Sequence, residues 1–359
     1  MGSVQREEAD RVRGCLLGGA VGDALGAPIE FDDLARIQAR FGPAGVRDFA
    51  EAYGREGAIT DDTQMTLFTA EGLLRAVARG AHREPAAPGS AIHHAYLRWY
   101  FTQGSRPRAV GTEGPEWPDG WLVREARLSS RRGPGVTCLS ALGAATRSFG
   151  EPARNDSKGC GTVMRVAPIG LVAASERLAY ELGAEASAVT HGHPTGIVAG
   201  GAFAMLIAHL QRRLPLAEAI ARTRAFIAER PASGETLRAL DASVALARGD
   251  VAPAPAAVES LGGGWVAEEA LAIAVYCALV ARSFEHGVLL AVNHSGDSDS
   301  TGSMTGQLLG LTLGLAAIPE RWLARVELRD VIETLAADLA ALRAGAFDAS
   351  AHRERYPGG

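Results

Sequence analysis

Two short stretches of the chain bring together oxygen-bearing side chains, each directly before an apolar helical pattern. Their residues are Thr60, Asp61 and Asp62 in the first stretch and Asp297, Asp299 and Ser300 in the second. Carboxylate and hydroxyl oxygens are ligands for hard divalent cations. The same residue types also cap helices, because they accept hydrogen bonds from free N–H groups and suit the positive end of the helix dipole. Each stretch alone allows both interpretations.

If the two stretches meet in space, they supply four carboxylates and two hydroxyls. That set suits a pair of Mg²⁺ or Mn²⁺ ions, which lie roughly 3.5–4 Å apart in two-metal sites. Nitrogen and sulfur ligands are sparse, which argues against zinc. The four cysteines lie far apart along the sequence, so neither a disulfide framework nor a zinc site is expected.

A third stretch, residues 154–165, is typical of a ligand-binding turn. Gly159 and Gly161 flank Cys160, and backbone N–H groups in such a turn could face an anion, with Lys158 beside them. The spacing does not match a Walker A loop. A plain turn between two helices is the alternative.

The rarest residue types cluster at these stretches. Lysine occurs once in 359 residues, at Lys158, and asparagine occurs only at Asn155 and Asn293. A compact ammonium and a planar guanidinium are not equivalent in a tight pocket, and this arginine-rich chain could have carried arginine at position 158. The clustering predicts that these three residues belong to the same cleft as the carboxylates of the two acidic stretches. Chance clustering is the alternative.

Individual residues elsewhere have both a functional and a structural interpretation. His191 is a candidate to bind a ligand hydroxyl, whereas His193 is expected to be a structural hydrogen-bonder. Glu30 follows the first predicted helix and is either a functional acid next to whatever Asp23 faces or a solvated loop residue, with Asp23 then a buried hydrogen-bonder. Trp265 follows three glycines and could offer an aromatic platform, although core packing is the commoner role.

The elements that must position these residues are predicted to be helices, because strand patterns are scarce and helix-forming residues recur at helical spacing. We expect an all-α protein with a single domain over residues 1–359 and a Pro/Gly/Trp-rich surface insertion at about 80–135. The clearest predicted helical segments are Thr66–Ala78, Leu182–Val189, Thr195–Leu210, Leu216–Ile227, Ala267–Ser283 and Arg329–Ala344.

Two glycine stripes link the ends of the chain. Glycine recurs every fourth residue in each stripe, at positions 14, 18, 22 and 26 and at positions 302, 306, 310 and 314. Glycine within a helix costs about 1 kcal/mol relative to alanine, so its repetition suggests close backbone approach. The stripes therefore predict that an N-terminal and a C-terminal helix pack tightly and share one site.

Composition excludes several classes of protein. The formal net charge of −5 gives no broad basic surface, so a dedicated nucleic-acid binder is not expected. The polar N-terminus lacks the apolar core of a signal peptide. Apolar stretches such as Leu271–Ala281 fall short of the roughly 20 residues that cross a bilayer. We therefore expect a cytoplasmic protein without membrane partners.

Six segments together resemble the ADP-ribosylglycohydrolase family, which includes the dinitrogenase reductase-activating glycohydrolases and the ADP-ribosyl-arginine hydrolases. They span nearly the whole chain in family order, and the paired acidic motifs are the most specific. The segments are GCLLGGAVGDALGAPIEF (14–31), ITDDTQMT (59–66), NDSKGCGTVMRVAPIG (155–170), THGHP (190–194), GGGWVAEEALAIA (262–274) and NHSGDSDSTGSMTGQLLG (293–310).

The resemblance implies an orthogonal helical bundle with a di-metal cleft that holds two Mg²⁺ or Mn²⁺ ions. The implied metal ligands are Thr60, Asp61, Asp62, Asp297, Asp299 and Ser300. The implied substrate-binding residues, which would line an ADP-ribose pocket, are Asn155, Lys158, Gly159, Cys160, Gly161, Met164 and His191. Glu30 matches an acid that lies over the metal site in part of the family.

The implied reaction is hydrolysis of the N-glycosidic bond between ADP-ribose and a protein side chain. Asp62 or Asp299 would accept the proton of the attacking water, the transition state would have oxocarbenium character, and Glu30 would help the leaving group depart. The partners would be an ADP-ribosylated protein and the product ADP-ribose.

Arginine is the predicted acceptor residue, because the GDSDSTG form of the second acidic motif resembles the arginine-directed members. One alternative is an immunity protein that neutralises an ADP-ribosyltransferase toxin by hydrolysis or by direct binding. Less favoured alternatives are serine-, nucleic-acid- or small-molecule-linked ADP-ribose as substrate, and a bare ADP-ribose binder.

Overall fold

The computed structural model describes residues 3–82, 88–109, 111–112, 117–144 and 151–357. Within these ranges the chain is mostly helical and its strands are confined to one short hairpin, which confirms the all-α prediction. The helices are α1 (Ser3–Gly26), α2 (Leu34–Phe41), α3 (Asp61–His82), α4 (Pro88–Thr102), α5 (Val136–Gly143), α6 (Ala167–Val172), α7 (Glu176–Ala188), α8 (Pro194–Gln211), α9 (Leu216–Ala228), α10 (Gly234–Arg248), α11 (Pro255–Glu259), α12 (Ala267–Leu279), α13 (Phe284–Val292), α14 (Ser298–Leu313), α15 (Glu320–Leu323) and α16 (Arg329–Arg343).

The remaining regular structure in the described ranges is short. One antiparallel hairpin pairs β1 (Glu51–Ala52) with β2 (Arg55–Glu56) through Tyr53 and Gly54, whose φ angles are 51° and 79°. Two consecutive left-handed residues are what a tight hairpin turn requires. Single 3₁₀ turns cover Leu122–Arg124, Ala126–Leu128, Cys160–Thr162 and Leu315–Ala317.

Helices α1 and α14 pack backbone to backbone along the two glycine stripes. A Cβ atom built on Gly18 would lie 2.4 Å from the carbonyl oxygen of Gly306, and one built on Gly22 would lie 2.0 Å from that of Gly302. Real Cβ atoms do not approach backbone this closely, so only glycine permits the contact. The predicted pairing of the two ends of the chain is confirmed. It brings the loop after α1 next to the N-terminus of α14.

The predicted helical segments are all present, and their ends differ where capping residues intervene. The segment predicted to run from Ala267 to Ser283 ends at Leu279, because Ser283 instead caps α13 by accepting a hydrogen bond from the backbone N–H of His286 at 3.1 Å. The alanine-, proline- and glycine-rich residues 249–264 include the short helix α11.

The Pro/Gly/Trp-rich segment at about 80–135 is not purely a surface feature. Its helix α4 packs against α3, and Tyr96 and Trp99 are completely buried. The indole N–H of Trp99 donates to the side-chain oxygen of Gln64 at 3.0 Å, which ties α4 to the first turns of α3. The expectation of a surface insertion was wrong for this helix, because aromatic spacing within it makes a buried face. Residues 83–87, 110 and 113–116 of the segment lie outside the described residues.

The main hydrophobic core draws on residues from Val12 to Tyr356. Helix α8 lies in this core and is long and apolar enough to cross a membrane, which the sequence analysis did not anticipate. Its 18 residues are 89% buried inside the protein. Burial of this extent is typical of a helix in the core of a protein. The four cysteines, Cys15, Cys138, Cys160 and Cys277, are all free thiols, as expected.

Candidate functional site

The first acidic stretch lies at the N-terminus of α3, where a carboxylate from α1 does the capping. Asp23 accepts hydrogen bonds from the backbone N–H of Thr60 at 3.0 Å and from that of Thr63 at 3.1 Å. The interpretation of Asp23 as a buried hydrogen-bonder is therefore correct. Because Asp23 satisfies these N–H groups, the side chains of Asp61 and Asp62 are not needed as caps.

The side chains of Asp61 and Asp62 are buried and have little contact with solvent. The backbone N–H of Gly135 donates to Asp61 Oδ2 at 3.3 Å. Asp62 Oδ1 is buried and finds no hydrogen-bond partner among the described residues. A buried carboxylate oxygen without a partner is costly in free energy, so each such atom calls for a ligand.

The second acidic stretch lies at the N-terminus of α14 and is partly used for capping. Asp297 accepts from the backbone N–H of Ser300 at 3.4 Å, and Asp299 Oδ1 accepts from the same N–H at 2.9 Å. The preceding turn is held by the backbone N–H of Asp297, which donates to Gly263 O at 2.8 Å. Both interpretations of this stretch thus hold: its carboxylates cap the helix and also converge on a common point.

That point also includes Glu30 from the loop after α1. One carboxylate oxygen from each of Glu30, Asp297 and Asp299 lies within 4.8 Å of the others, a group that could hold a metal ion. All three residues are buried, and Glu30 Oε2 has no hydrogen-bond partner among the described residues. The interpretation of Glu30 as a solvated loop acid is therefore wrong. The close contact of α1 with α14 places it here, since Gly26 packs against the first residues of α14.

The crowding of buried carboxyl groups shifts their titration upward. Burial, and next the charge of Asp299, raise the pKa of Glu30 to about 11. The same two causes raise the pKa values of Asp61, Asp62 and Asp297 well above their usual range, and burial raises the pKa of Asp299 as well. A cluster of this kind is stable with all members ionised only when positive charge is supplied to it.

A cavity of about 310 Å³ opens onto this cluster. Most of the predicted site residues line it, which brings the acidic stretches, the glycine turn and the histidine motif together. These lining residues are Glu30, Asp61, Asp62, Gly159, Cys160, Gly161, Met164, His191, Asp297, Asp299 and Ser300. A larger cavity of about 640 Å³, elsewhere in the molecule, has a mostly apolar lining and includes none of them.

Three predicted site residues do not line the cavity. Thr60 is completely buried behind it, and its hydroxyl accepts from the backbone N–H of Asp62 at 3.3 Å. Asn155 ties two loops together, since its side chain donates to Thr190 O at 2.9 Å and accepts from the N–H of Gly192 at 3.0 Å. These hydrogen bonds give Asn155 a supporting role in the loop, and its direct contact with substrate stays a prediction.

Lys158 also lies outside the cavity lining. Its ammonium donates to Glu235 at 2.8 Å and forms a second ion pair with Glu268. The structure thus uses the only lysine as a bridge between the glycine turn and helices α10 and α12. Asn293 has a similar supporting role, because its side chain exchanges two hydrogen bonds with the backbone of Val46, at 2.7 and 3.0 Å. The rare residues therefore surround the cleft without facing it.

The two histidines of the fourth motif have different roles. His193 caps α8, with Nδ1 accepting from the backbone N–H of Thr195 at 3.1 Å, as expected of a structural histidine. His191 lines the cavity, and burial and the nearby Arg165 lower its pKa to about 3. Burial, and next the charge of Asp297, raise the pKa of the Cys160 thiol well above its usual range, which disfavours the thiolate form.

Two exposed aromatic rings stand at the mouth of the cavity. Phe31 is 74% exposed and Trp265 is 44% exposed, and their rings stack at 5.8 Å between centroids with an interplanar angle of 16°. The expectation that Trp265 packs in the core was wrong. Because these two exposed rings lie next to each other at a cavity, they form a candidate binding surface.

Sequence reasoning missed Phe31 and the whole segment from Gly133 to Cys138, which forms one wall of the cavity. Phe31 was adjacent to a candidate acid, which was the available signal. Residues 133–135 of this wall fall at the end of the predicted surface insertion, although their Gly-Pro-Gly sequence is compatible with close backbone approach to a ligand. The backbone N–H of Gly135 donates to the carboxylate of Asp61, and this contact requires the backbone of the wall to lie next to the acidic cluster.

Comparisons with known proteins agree with the geometry. The family model described as ADP-ribosylglycohydrolase matches residues 4–349. An uncharacterised protein of Archaeoglobus fulgidus is 31% identical over 345 residues, which cover 92% of this chain and 96% of the relative. The ADP-ribosylarginine hydrolase Tri1 of Pseudomonas putida is 24% identical, over 92% of this chain and 78% of the relative.

A solved structure supports the fold. A chain of an "ADP-ribosylglycohydrolase-related protein complex" matches with a TM-score of 0.65 and 29% sequence identity, over 95% of this chain and 99% of that chain. The helical architecture is therefore that of the family that the sequence motifs resemble. The protein belongs to the ADP-ribosylglycohydrolase family and is a glycosidase-type hydrolase of ADP-ribosyl groups.

Proposed function

We propose that this enzyme releases ADP-ribose from ADP-ribosylated arginine side chains of proteins, using two Mg²⁺ or Mn²⁺ ions. One observation carries the proposal: carboxylates from α3, from α14 and from the loop after α1 converge at one cavity. Two of them have buried oxygens without a partner among the residues that the structure describes. A simple ADP-ribose binder does not need such a costly cluster.

The donor set fits a hard divalent cation. The atoms available at the cluster are carboxylate and hydroxyl oxygens, which suit Mg²⁺ and Mn²⁺. The residues that would hold the ions are Thr60, Asp61, Asp62, Asp297, Asp299 and Ser300, with Glu30 beside them. When bound, such ions supply positive charge that keeps the carboxylates ionised and polarises substrate oxygens.

Two carboxyl groups of the protein have different roles in proton transfer: one accepts a proton from water and the other gives a proton to the leaving group. Asp299 already accepts the N–H of Ser300, whereas Asp62 Oδ1 has a free buried lone pair, so Asp62 is the better acceptor for a proton from water. Burial is the main cause that favours the protonated form of Glu30, and Glu30 is not among the six residues that would hold the ions. It can therefore give a proton to the departing guanidine nitrogen, which leaves poorly without one.

The aromatic pair supports arginine as the acceptor residue. Phe31 is next to Glu30 in sequence, and Trp265 follows Gly264, whose added Cβ would lie 3.3 Å from that of Asp297. The pair thus stands at the acidic end of the cavity, where the acceptor side chain must leave. A planar guanidinium stacks on aromatic faces better than a serine side chain can. The similarity to a relative named for ADP-ribosylarginine also supports this choice.

The proposal is tested by measuring ADP-ribose release from arginine-, serine- and nucleic-acid-linked substrates, with added Mg²⁺ or Mn²⁺ and with a chelator. We expect release from the arginine-linked substrate that stops in chelator and returns when metal is added. Release from the serine-linked substrate alone would reject the arginine assignment. Release that persists in chelator would reject the metal requirement.

Replacing Trp265 with alanine is expected to raise the KM for an ADP-ribosyl-arginine peptide about two- to fivefold, because stacking of a guanidinium on an exposed ring contributes roughly 0.5–1 kcal/mol. The turnover number and the affinity for free ADP-ribose should change little, since neither depends on the acceptor. The variant Trp265→Phe should keep most of the stacking and therefore have a KM close to that of the parent enzyme. Phe101→Ala, at an exposed aromatic residue that does not line the cavity, is the matched control. An unchanged KM, or weakened binding of free ADP-ribose, would contradict this role.

A further inference from the structure

Arg165 is a buried cation directly behind the cavity. It is completely buried, and no carboxylate pairs with it within the described part of the chain. Its guanidinium stacks over the ring of Tyr96 at 4.2 Å and donates to the carbonyl oxygen of Ala186 at 2.9 Å. A second hydrogen bond runs from Nη2 to the hydroxyl of Thr190 at 2.6 Å. Such a group is costly to bury, so its position requires an explanation.

The hydroxyl of Thr190 lies between the guanidinium of Arg165 and the ring of His191, and it contacts both. Thr190 Oγ1 lies 2.8 Å from His191 Nδ1. A guanidinium can only donate, so the threonine oxygen accepts from Arg165 and its own hydrogen remains available. The sulfur of Cys138 is also nearby, but sulfur is a weak acceptor. The threonine hydroxyl therefore donates to Nδ1 of His191, which leaves the ring proton on Nε2.

The opposite edge of the His191 ring faces the cavity. A Cβ atom added to Gly159 would lie 3.1 Å from Nε2, and one added to Gly161 would lie 3.0 Å from Cε1. The two glycines of the turn thus leave the N–H edge of the ring uncovered. Burial and the charge of Arg165 also keep the imidazole neutral at physiological pH.

From this geometry we infer that Arg165 and Thr190 are positioning residues that fix His191 as a neutral Nε2–H donor toward ADP-ribose. The use of this donor by a ligand rests on the proposed function, whereas the fixed tautomer does not. His191 then binds an acceptor atom, such as a phosphate or hydroxyl oxygen, and takes no part in proton transfer. Any buried histidine could bind a ligand through either nitrogen, but here the neighbours select one.

The tautomer is measured by ¹⁵N NMR of the histidine rings in the full-length enzyme near neutral pH, with the His191 signals assigned from a His191→Gln variant. We expect a proton on Nε2, an unprotonated Nδ1, and no titration of His191 between pH 5 and 8. A proton on Nδ1, or a ring that becomes charged in that range, would overturn the inference. This readout needs no variant of Thr190 and no substrate, so it stands even if the release assay fails.

The role of Thr190 is tested by Thr190→Val, which removes the hydroxyl at nearly constant volume, and by Thr190→Ser, which keeps it. In the valine variant we expect mixed tautomers of His191 and about tenfold weaker binding of ADP-ribose, with the serine variant close to the parent. Thr102→Val, at a buried threonine of α4 whose hydroxyl donates to Trp99 O at 2.7 Å, controls for the loss of a buried, hydrogen-bonded hydroxyl elsewhere. If the valine variant keeps the Nε2–H form, the positioning role is rejected.

Discussion

Replacing Asp62 with asparagine is expected to lower the rate of ADP-ribose release by about 10²–10⁴-fold, the range that a positioned general base contributes. The amide has nearly the same shape as the carboxylate but cannot accept a proton from water. It also removes one negative charge from the metal cluster, so the apparent affinity for Mg²⁺ should fall as well. The measurement is kcat/KM for release from an arginine-linked peptide at saturating metal.

The fold should survive this change. Asp23, not Asp62, caps α3, and Asp62 Oδ1 makes no hydrogen bond that the described structure would lose. Burial and the charge of Asp299 raise the pKa of Asp62 well above its usual range, so asparagine replaces a carboxyl group that already disfavours its charged form in the metal-free protein. Asp33→Asn is the matched control, because Asp33 caps α2 by accepting from the N–H of Arg36 at 2.8 Å, outside the cavity. Release within tenfold of the parent would remove Asp62 from the role of base.

The double variant Asp61→Asn, Asp62→Asn also separates hydrolysis from binding of a toxin. If a cognate ADP-ribosyltransferase toxin exists, protection by hydrolysis must vanish in this variant. Protection that survives would show that the chain neutralises the toxin by direct contact. Because asparagine has nearly the same shape as aspartate, the surface offered to a toxin is expected to stay unchanged, and the two mechanisms can be told apart in one experiment.

The acidic cluster could be predicted from the sequence because its signals are local and reinforce one another. Each stretch combines carboxylates, a hydroxyl and a helix start within a few residues, and the glycine stripes fix which helices must meet. The close contact of α1 and α14 is a backbone property, so glycine spacing alone reveals it. The inclusion of Glu30 in the cluster follows from the same contact.

The roles of Lys158, Asn155 and Asn293 could not be predicted, because rarity locates a residue near a site without giving its direction. Lys158 is paired with Glu235 and Glu268, which lie 77 and 110 residues away in sequence. Asn155 and Asn293 each satisfy backbone groups of a distant loop. Partners at such separations leave no local pattern, so a ligand-facing and a supporting side chain look the same in sequence.

The wall from Gly133 to Cys138 was missed for a different reason. It follows a segment rich in glycine and proline, which has no helical period and therefore gives no indication of where it folds back. Its position depends on the N–H of Asp61 donating to Arg132 O at 2.9 Å and on Arg132 pairing with Glu327. These contacts join three remote parts of the chain, and only the assembled structure shows them.

Of the substitutions proposed here, Gly306→Ala is expected to lower the free energy of unfolding the most. Its Cβ would lie 2.0 Å from the carbonyl oxygen and 2.6 Å from the carbonyl carbon of Gly18. Both atoms belong to the backbone of α1, so no side chain can rotate away and the helices must separate. Overpacking of this kind costs about 1–3 kcal/mol or more, which exceeds the roughly 1 kcal/mol that alanine gains over glycine in a helix.

The same change should also reduce activity, because α1 and α14 carry opposite sides of the site. Asp23 on α1 holds the first turn of α3, while Asp297 and Asp299 begin α14, so separating the helices moves the two halves of the cluster apart. Thermal unfolding and ADP-ribose release measure the two effects. Gly234→Ala in α10 is the matched control, since its Cβ would meet only the flexible end of Arg238 at 3.4 Å and should not destabilise the protein. If Gly306→Ala unfolds at the same temperature as Gly234→Ala, close packing of the stripes is not what holds the site together.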